Sequence, residues 1–210
     1  VCAGRTDSGV HARGQVVSFS LSEEELACRS EFKLLRSLNA LAHEDISVKS
    51  VRRQASDFSA RFSCTMREYK YFICTDAYKP LLMKGFCWHI PKELDLEAMR
   101  AAAAYLIGEH DFKSFCMAAS AEGKSTMRNV FSIDVSREDA WSENLVVITV
   151  KGNAFLHSMV RTIVGTLVAV GLGRRRPEWI AEVLEARNRA AAGENAPAQG
   201  LVFWNVSYEG

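Results

Sequence analysis

The order of segments with helical and with alternating spacing of apolar residues constrains the fold of this chain more than any other feature. Segments with apolar residues at helical spacing are interspersed with alternating or Val- and Phe-rich segments, without the strand–helix–strand rhythm of a doubly wound sheet. This order predicts an α+β fold, with a mixed, largely antiparallel sheet, helices mainly on one face, and the other face free for a ligand. Helices are predicted over 31–42, 95–107, 155–170 and 177–189, and strands over 15–21, 46–51, 58–74, 128–136, 145–152 and 201–208.

The segments between these elements indicate how the chain is divided. Residues 79–85 and 190–199 predict loops, and the polar, irregular stretch 111–125 predicts a long loop. We expect an N-terminal subdomain over residues 1–75 and a C-terminal subdomain over 76–210, which share one continuous sheet and a central cleft.

Composition limits the class of protein. Hydrophobic residues make up 48% and charged residues 24% of the chain, which is typical of a soluble globular protein and argues against a disordered or fibrous one. No apolar stretch is long and charge-free enough to span a bilayer, and the first residues lack the pattern of a secretory signal. We therefore expect a cytoplasmic protein.

Cysteine spacing and net charge further limit the possible functions. Six cysteines without a Cys-x-x-Cys pair predict free thiols, and no stretch has metal-ligand spacing, so we expect no metal. The net charge of +1 excludes a generic polycation but not a nucleic-acid-binding protein, because binding needs only a local basic surface. Candidates for that surface are 52–53, Arg67 with Lys70, and 174–176.

A glycine-bracketed loop near the start carries the first chemical signal. Arg5 and Asp7 lie between Gly4 and Gly9, and glycine allows the tight backbone and close approach that a large substrate needs. Asp-Ser-Gly alone is most often an ordinary turn. It also occurs in aspartic proteases, but those enzymes couple two carboxylates, and this sequence has no second Asp-Ser-Gly or Asp-Thr-Gly.

Several longer segments, taken in order, indicate a family. They are Gly4-Arg5-Thr6-Asp7-Ser8-Gly9-Val10-His11-Ala12, Ala60-Arg61-Phe62-Ser63, Arg67-Glu68-Tyr69-Lys70-Tyr71, Gly108-Glu109-His110-Asp111-Phe112, Arg128-Asn129-Val130, Phe155-Leu156-His157-Ser158-Met159-Val160-Arg161 and Gly200-Leu201. Together they resemble TruA-type tRNA pseudouridine synthases over nearly the whole chain. Ser8 stands where the family more often has alanine, and Glu68 where it often has a basic residue. The family also has a strand and a helix before the Asp7 loop, with a Tyr-Asp-Gly motif, and we expect these N-terminal elements to be missing here.

The resemblance implies a reaction and a substrate. The enzyme would isomerise uridine to pseudouridine in the anticodon stem-loop of tRNA, at tRNA positions 38 to 40, and would act as a homodimer without metal or cofactor. In this reaction the C–N glycosidic bond breaks, the uracil turns, and its C5 bonds to the ribose. Asp7 would be the catalytic carboxylate. It could attack C1′, add to the uracil ring or remove a sugar proton, and the sequence leaves all three open.

Roles for other residues also follow from the resemblance. Arg161 would pair with Asp7 and keep it ionised beside the base, and the two side chains should meet within salt-bridge distance. Tyr69 would stack on the target uracil and take part in proton transfer at C5. Arg5 would help to hold the target nucleotide out of its stack. The other predicted substrate-binding residues are Arg61, Arg67 and His11.

The alternative is a truncated or non-catalytic RNA-binding domain of the same fold. The intact set of Asp7, Tyr69 and Arg161 favours the enzyme, whereas the missing N-terminal elements favour truncation.

Overall fold

One mixed sheet organises the structure. The computed structural model describes residues 1–117, 123–140 and 142–208 of the chain. Within these residues the strands run in the spatial order β1-β7-β2-β6-β5-β4, with β3 beside β2. Only the β1–β7 and β2–β3 pairs are parallel, which confirms the predicted mixed, largely antiparallel sheet. The strands are β1 (His11–Ala12), β2 (Cys64–Cys74), β3 (Trp88–His89), β4 (Gly108–Asp111), β5 (Met127–Ala140), β6 (Glu143–Gly152) and β7 (Leu201–Tyr208).

Five helices are found in the described residues, none of them long and apolar enough to cross a membrane. The most buried is α4, in which eleven of thirteen residues are inaccessible, so it forms the centre of the core. α3 packs closely on α4, because a Cβ at Gly171 would lie 2.6 Å from the sulfur of Met99. The helices are α1 (Glu23–Cys28), α2 (Glu31–Leu41), α3 (Leu96–Ala104), α4 (Met159–Gly171) and α5 (Trp179–Ala186).

Strand β2 positions Tyr69 at the centre of the sheet. It pairs with β6 on one side and β7 on the other, so that Tyr69 lies opposite Val150 and Phe203. Side chains alternate along a strand, and Tyr69 and Tyr71 both point to the buried face. That face joins α3, α4 and α5 in one hydrophobic cluster, which confirms helices mainly on one face. The boundary predicted near residue 75 stays a prediction.

Two predicted strands were wrong. Residues 15–21 form only an isolated bridge between Val17 and Cys2, although Ala3 also donates its N–H to the carbonyl of Val16. Residues 46–51 do not form a strand, and at Val48 a side chain makes the backbone hydrogen bonds. The amide of Asn39 donates to the carbonyl of Val48 and accepts from its N–H, as a neighbouring strand would.

Several predicted boundaries also shifted, and the last helix, predicted over 177–189, shortens to Trp179–Ala186. The helix predicted over 155–170 begins at Met159, because Ser158 has the left-handed conformation with φ 61°. The loop predicted over 111–125 begins instead with a 3₁₀ turn, Phe112–Phe115, whose two phenylalanines are fully buried. Residues 118–122 of that loop lie outside the described part of the chain.

Candidate active site

The loop that carries Asp7 is fixed by a turn and by one side-chain amide. Val10 donates its N–H to the carbonyl of Asp7, and Gly9 takes the positive φ of 81° that this turn requires. The side-chain amide of Gln15 donates to the carbonyl of Gly4 at 2.7 Å and accepts from its N–H at 3.4 Å. The turn and the glutamine therefore hold the loop at both ends.

Asp7 and Arg161 form the predicted ion pair. Nη1 of Arg161 lies 2.9 Å from Oδ2 of Asp7, although 154 residues separate them in the chain. Both side chains are largely buried, with 16% of the Arg161 side chain and 21% of the Asp7 side chain exposed. Nε of Arg161 donates to the carbonyl of Ala196 at 2.7 Å, which orients the guanidinium toward Asp7. The predicted contact is thus confirmed, and its catalytic role stays a prediction.

Two further residues contact the carboxylate, and neither was predicted from the sequence as a site residue. The hydroxyl of Ser158 donates to Oδ2 at 2.9 Å, and Nε2 of His157 lies 3.1 Å from Oδ1. Their positions three and four residues before Arg161 were the available signal, since this spacing places residues on one side of a helix. The signal was weak, because the helix begins only after Ser158.

The N-terminus of α4 adds to the positive surroundings of Asp7. Backbone dipoles give a helix a partial positive charge at this end, and the first turn of α4 contains no acidic side chain. Asp7 supplies a negative charge there from another part of the chain. Helix terminus, guanidinium and hydroxyl thus all direct a positive charge or a hydrogen-bond donor toward the carboxylate.

Tyr69 lies in an aromatic cluster beside the Asp7 loop. Its ring centroid is 5.2 Å from that of Phe155, in an edge-on arrangement, and 5.0 Å from that of Phe203. A Cβ at Gly4 would lie 3.4 Å from the Tyr69 hydroxyl oxygen, so the loop passes very close to it. Burial, with 7% of the residue exposed, raises the pKa of Tyr69 far above its ordinary value, and Asp7 adds to the increase. The hydroxyl therefore keeps its proton at neutral pH.

These residues lie on the helix-covered side of the sheet. We expected a ligand on the opposite face, and where a ligand binds stays a prediction, but the side chains of Asp7, Tyr69 and Arg161 belong to the helix-covered side. Tyr69 points to the buried face of β2, and Arg161 lies on α4, which covers that face. The candidate site is formed where the N-terminus of α4 meets the Asp7 loop at the edge of the core.

Arg67 joins the segments around the site. Its Nε donates to the carbonyl of Ala3, Nη1 to that of Asn153, and Nη2 to that of Arg61. Only 8% of the residue is exposed. The geometry favours a structural role, in which one guanidinium ties the start of the Asp7 loop to the segment before α4. The predicted contact of Arg67 with substrate stays a prediction.

Replacing Arg67 with methionine should destabilise the protein. The variant would leave three carbonyl groups without their donor, which we expect to cost about 3 kcal/mol of unfolding free energy. The melting temperature should fall by roughly 6–12 °C, measured by circular dichroism. Arg61→Met is the matched control, because that side chain is exposed and only its backbone contacts Arg67. Equal melting temperatures for the two variants would contradict the structural role.

The remaining predicted substrate residues lie nearer to solvent. Arg5 and Arg61 are exposed, and within the described residues the side chain of Arg5 has no hydrogen bond or ion pair. Nε2 of His11 lies 2.9 Å from the carbonyl of Gly85, and its ring lies 4.5 Å from that of Phe86. The exposed arginines are free to reach a large ligand, whereas His11 is already in contact with another loop.

The predicted free thiols are confirmed. All six cysteines are unpaired, and burial raises the pKa of Cys87 to about 12. In the part of the chain that the structure describes, no three His, Cys, Asp or Glu side chains are grouped so that they could hold a metal ion.

Comparison with known proteins shows the family of this chain. The family model described as tRNA pseudouridine synthase matches residues 102–209, which include Arg161, His157 and Ser158. The chain is 41% identical over 209 residues to tRNA pseudouridine synthase A of Bacillus pumilus, covering 100% of this chain and 81% of the relative. It is 40% identical over 211 residues to the Bacillus subtilis protein of the same name, with the same coverage. The Vibrio cholerae protein of that name is 42% identical over 207 residues, covering 99% of this chain and 75% of the relative.

The similarity therefore includes the Asp7 loop, which lies outside the family match but inside the regions aligned with the two Bacillus proteins. A carboxylate held by an arginine next to a buried tyrosine, in a chain aligned along its whole length with these isomerases, leads to one assignment. This chain belongs to the tRNA pseudouridine synthase family.

Proposed function

We propose that this protein converts uridine to pseudouridine in the anticodon stem-loop of tRNA, with Asp7 as the catalytic carboxylate. The observation that supports this most is the set of contacts to Asp7 from Arg161, Ser158 and His157 at the N-terminus of α4. These contacts orient an ionised carboxylate next to the buried Tyr69. The reaction is an isomerisation, so it needs no oxidant, reductant or other co-substrate.

Tyr69 takes part in this proposal as a hydroxyl that keeps its proton. Because burial raises its pKa, the tyrosine can donate a hydrogen bond to the uracil but is a poor starting base for the C5 proton. Its ring already contacts Phe155 and Phe203, which fix its orientation before the base enters.

Exposed basic side chains supply the contacts to the RNA backbone. Arg5 lies two residues before Asp7 without an internal partner among the described residues, so it is available to hold the target nucleotide outside its stack. Arg61 is exposed on the segment that Arg67 ties to the Asp7 loop. We further propose that the protein works in the cytoplasm as a homodimer and reads tRNA mainly by shape and phosphates.

Pseudouridine formation on an unmodified tRNA transcript tests the function directly. The full-length protein should produce pseudouridine, detected by nucleoside chromatography and located by carbodiimide labelling with primer extension. Labelling should appear at adjacent uridines on the 3′ side of the anticodon loop and stem. A protein that binds the transcript but forms no pseudouridine would instead support the non-catalytic RNA-binding domain.

Two substitutions of Tyr69 separate its hydroxyl from its ring. Tyr69→Phe keeps the stacking surface and should reduce kcat about tenfold if the hydroxyl acts in the reaction. Tyr69→Leu loses both features and should have a lower rate still, because base stacking contributes roughly 1–3 kcal/mol. Single-turnover rates on tRNA measure both effects. A fully active Tyr69→Phe would exclude the hydroxyl from proton transfer and leave only stacking.

A further inference from the structure

Ser158 contributes to the site through an uncommon helix start. Serine is preferred just before a helix because its oxygen usually accepts a hydrogen bond from a backbone N–H of the first turn. Ser158 occupies this position before α4, yet its side chain makes no capping bond. Its hydroxyl donates to Oδ2 of Asp7 instead. A local contact that would stabilise the helix is thus replaced by one to the catalytic carboxylate.

The backbone of Ser158 makes this arrangement possible. Its φ of 61° and ψ of 8° are left-handed, a conformation that is unfavourable for residues with a Cβ. Side chains of consecutive residues usually diverge. Here those of His157 and Ser158 reach the two oxygens of one carboxylate. Left-handed residues other than glycine are concentrated at functional sites, where surrounding contacts maintain them.

The two oxygens of Asp7 are held unequally as a result. Oδ2 lies 2.9 Å from both Nη1 of Arg161 and Oγ of Ser158. Oδ1 lies 3.1 Å from Nε2 of His157, its one polar side-chain contact within the described residues. The side chain of His157 is 48% exposed, so an entering nucleotide can displace it, whereas Arg161 is largely buried.

We propose that Ser158 is a positioning residue that, with Arg161, anchors Oδ2 and leaves Oδ1 as the oxygen that reacts with the nucleotide. This inference rests on the proposed function. Two hydrogen bonds of 2.9 Å occupy Oδ2, while Oδ1 retains a free lone pair and a displaceable partner. Ser158 acts through Asp7 and does not itself contact the substrate.

Glycine and alanine at position 158 distinguish the hydroxyl from the backbone. Glycine adopts φ 61° freely, so Ser158→Gly removes the hydroxymethyl group and relieves the strain, whereas Ser158→Ala removes only the hydroxyl and keeps the strain. We expect kcat of both full-length variants to fall about tenfold, or about 1.4 kcal/mol, with tRNA binding unchanged within about twofold. Ser37→Ala, which changes an exposed serine of α2, is the control and should keep the wild-type rate.

The outcomes are distinct. Loss of kcat in both variants, while both stay folded and keep tRNA binding at the assay temperature, supports the inference. A Ser158→Gly variant with the wild-type kcat overturns it, even if Ser158→Ala is slow, because backbone strain would then explain the effect. A wild-type protein that forms no pseudouridine overturns the proposed function itself, and the assignment of Oδ1 with it.

A double-mutant cycle tests the contact without any activity. The unfolding free energies of Asp7→Ala, Ser158→Gly and the double variant should be non-additive, because the two side chains share a hydrogen bond. Additive values would show that Ser158 does not act through Asp7, and would overturn the inference even in an active enzyme.

Discussion

Asp7→Asn is expected to abolish pseudouridine formation by the full-length protein while tRNA binding stays nearly intact. The amide has almost the same shape as the carboxylate and can still accept hydrogen bonds from Arg161 and Ser158. It carries no negative charge, so it can neither attack the ribose or the base nor remove a proton. We expect the single-turnover rate to fall by at least about a thousandfold, as for other essential nucleophiles.

Asp45→Asn is the matched control for this experiment. The side chain of Asp45 is 86% exposed and pairs with the exposed His43, so the same chemical change there should leave the rate unchanged. Residual turnover of Asp7→Asn within tenfold of the wild type would rule Asp7 out as the catalytic carboxylate. Filter binding with the same tRNA separates a lost reaction from a lost complex.

Arg161→Met is expected to have the second largest effect. Removing the guanidinium leaves Oδ2 of Asp7 with Ser158 alone and takes away the positive charge that stabilises the carboxylate in a largely buried position. We expect kcat to fall about a hundredfold, in the range found when one electrostatic donor of an active site is removed. Single-turnover rates and tRNA affinity should be measured together, because the affinity should change little.

Lysine at position 161 shows how much of the effect comes from charge. Arg161→Lys keeps the cation but cannot bond Asp7 and the carbonyl of Ala196 with one planar group, so its activity should lie between those of wild type and Arg161→Met. Arg137→Met, on an exposed arginine of β5, controls for loss of a positive charge. A fully active Arg161→Met would show that Asp7 does not depend on this ion pair.

Much of the fold followed from residue patterns that act locally. Strand β7 was predicted at its observed bounds, and α2 within one residue, because apolar periodicity and flanking turn residues suffice there. The failures have a different cause. The backbone of Val48 is satisfied by the side chain of Asn39, and apolar periodicity does not reveal whether a side-chain amide will take the place of a neighbouring strand.

The residues of the candidate site also differ in how far the sequence alone predicts them. Asp7, Tyr69 and Arg161 could be selected because they lie in distinctive segments, and the ion pair between the first and last was implied by the family resemblance, with the cost of an unpaired charge as support. Ser158 and His157 could not be assigned their contacts in this way. Their approach to Asp7 depends on a left-handed residue, which no local pattern in this stretch requires.

Arg67 illustrates the same limit in a residue that the sequence did select. As a basic residue near an aromatic one it resembled a contact for RNA, but its guanidinium is occupied by three backbone carbonyls from separate parts of the chain. A sequence gives the type of a side chain and its neighbours along the chain, whereas the number of its hydrogen-bonding groups left for a ligand depends on all segments that fold around it.

The sequence by itself determined the α+β class, most elements, the family and the central ion pair, because apolar periodicity and chemically distinctive segments are local properties. Only the tertiary structure decided that Asp7, Tyr69 and Arg161 lie on the helix-covered side of the sheet, that Tyr69 is buried with a raised pKa, and that Asp7 has different partners on its two oxygens. The physical reason is that burial and hydrogen-bond geometry are set by contacts between residues more than a hundred positions apart, which no local pattern encodes.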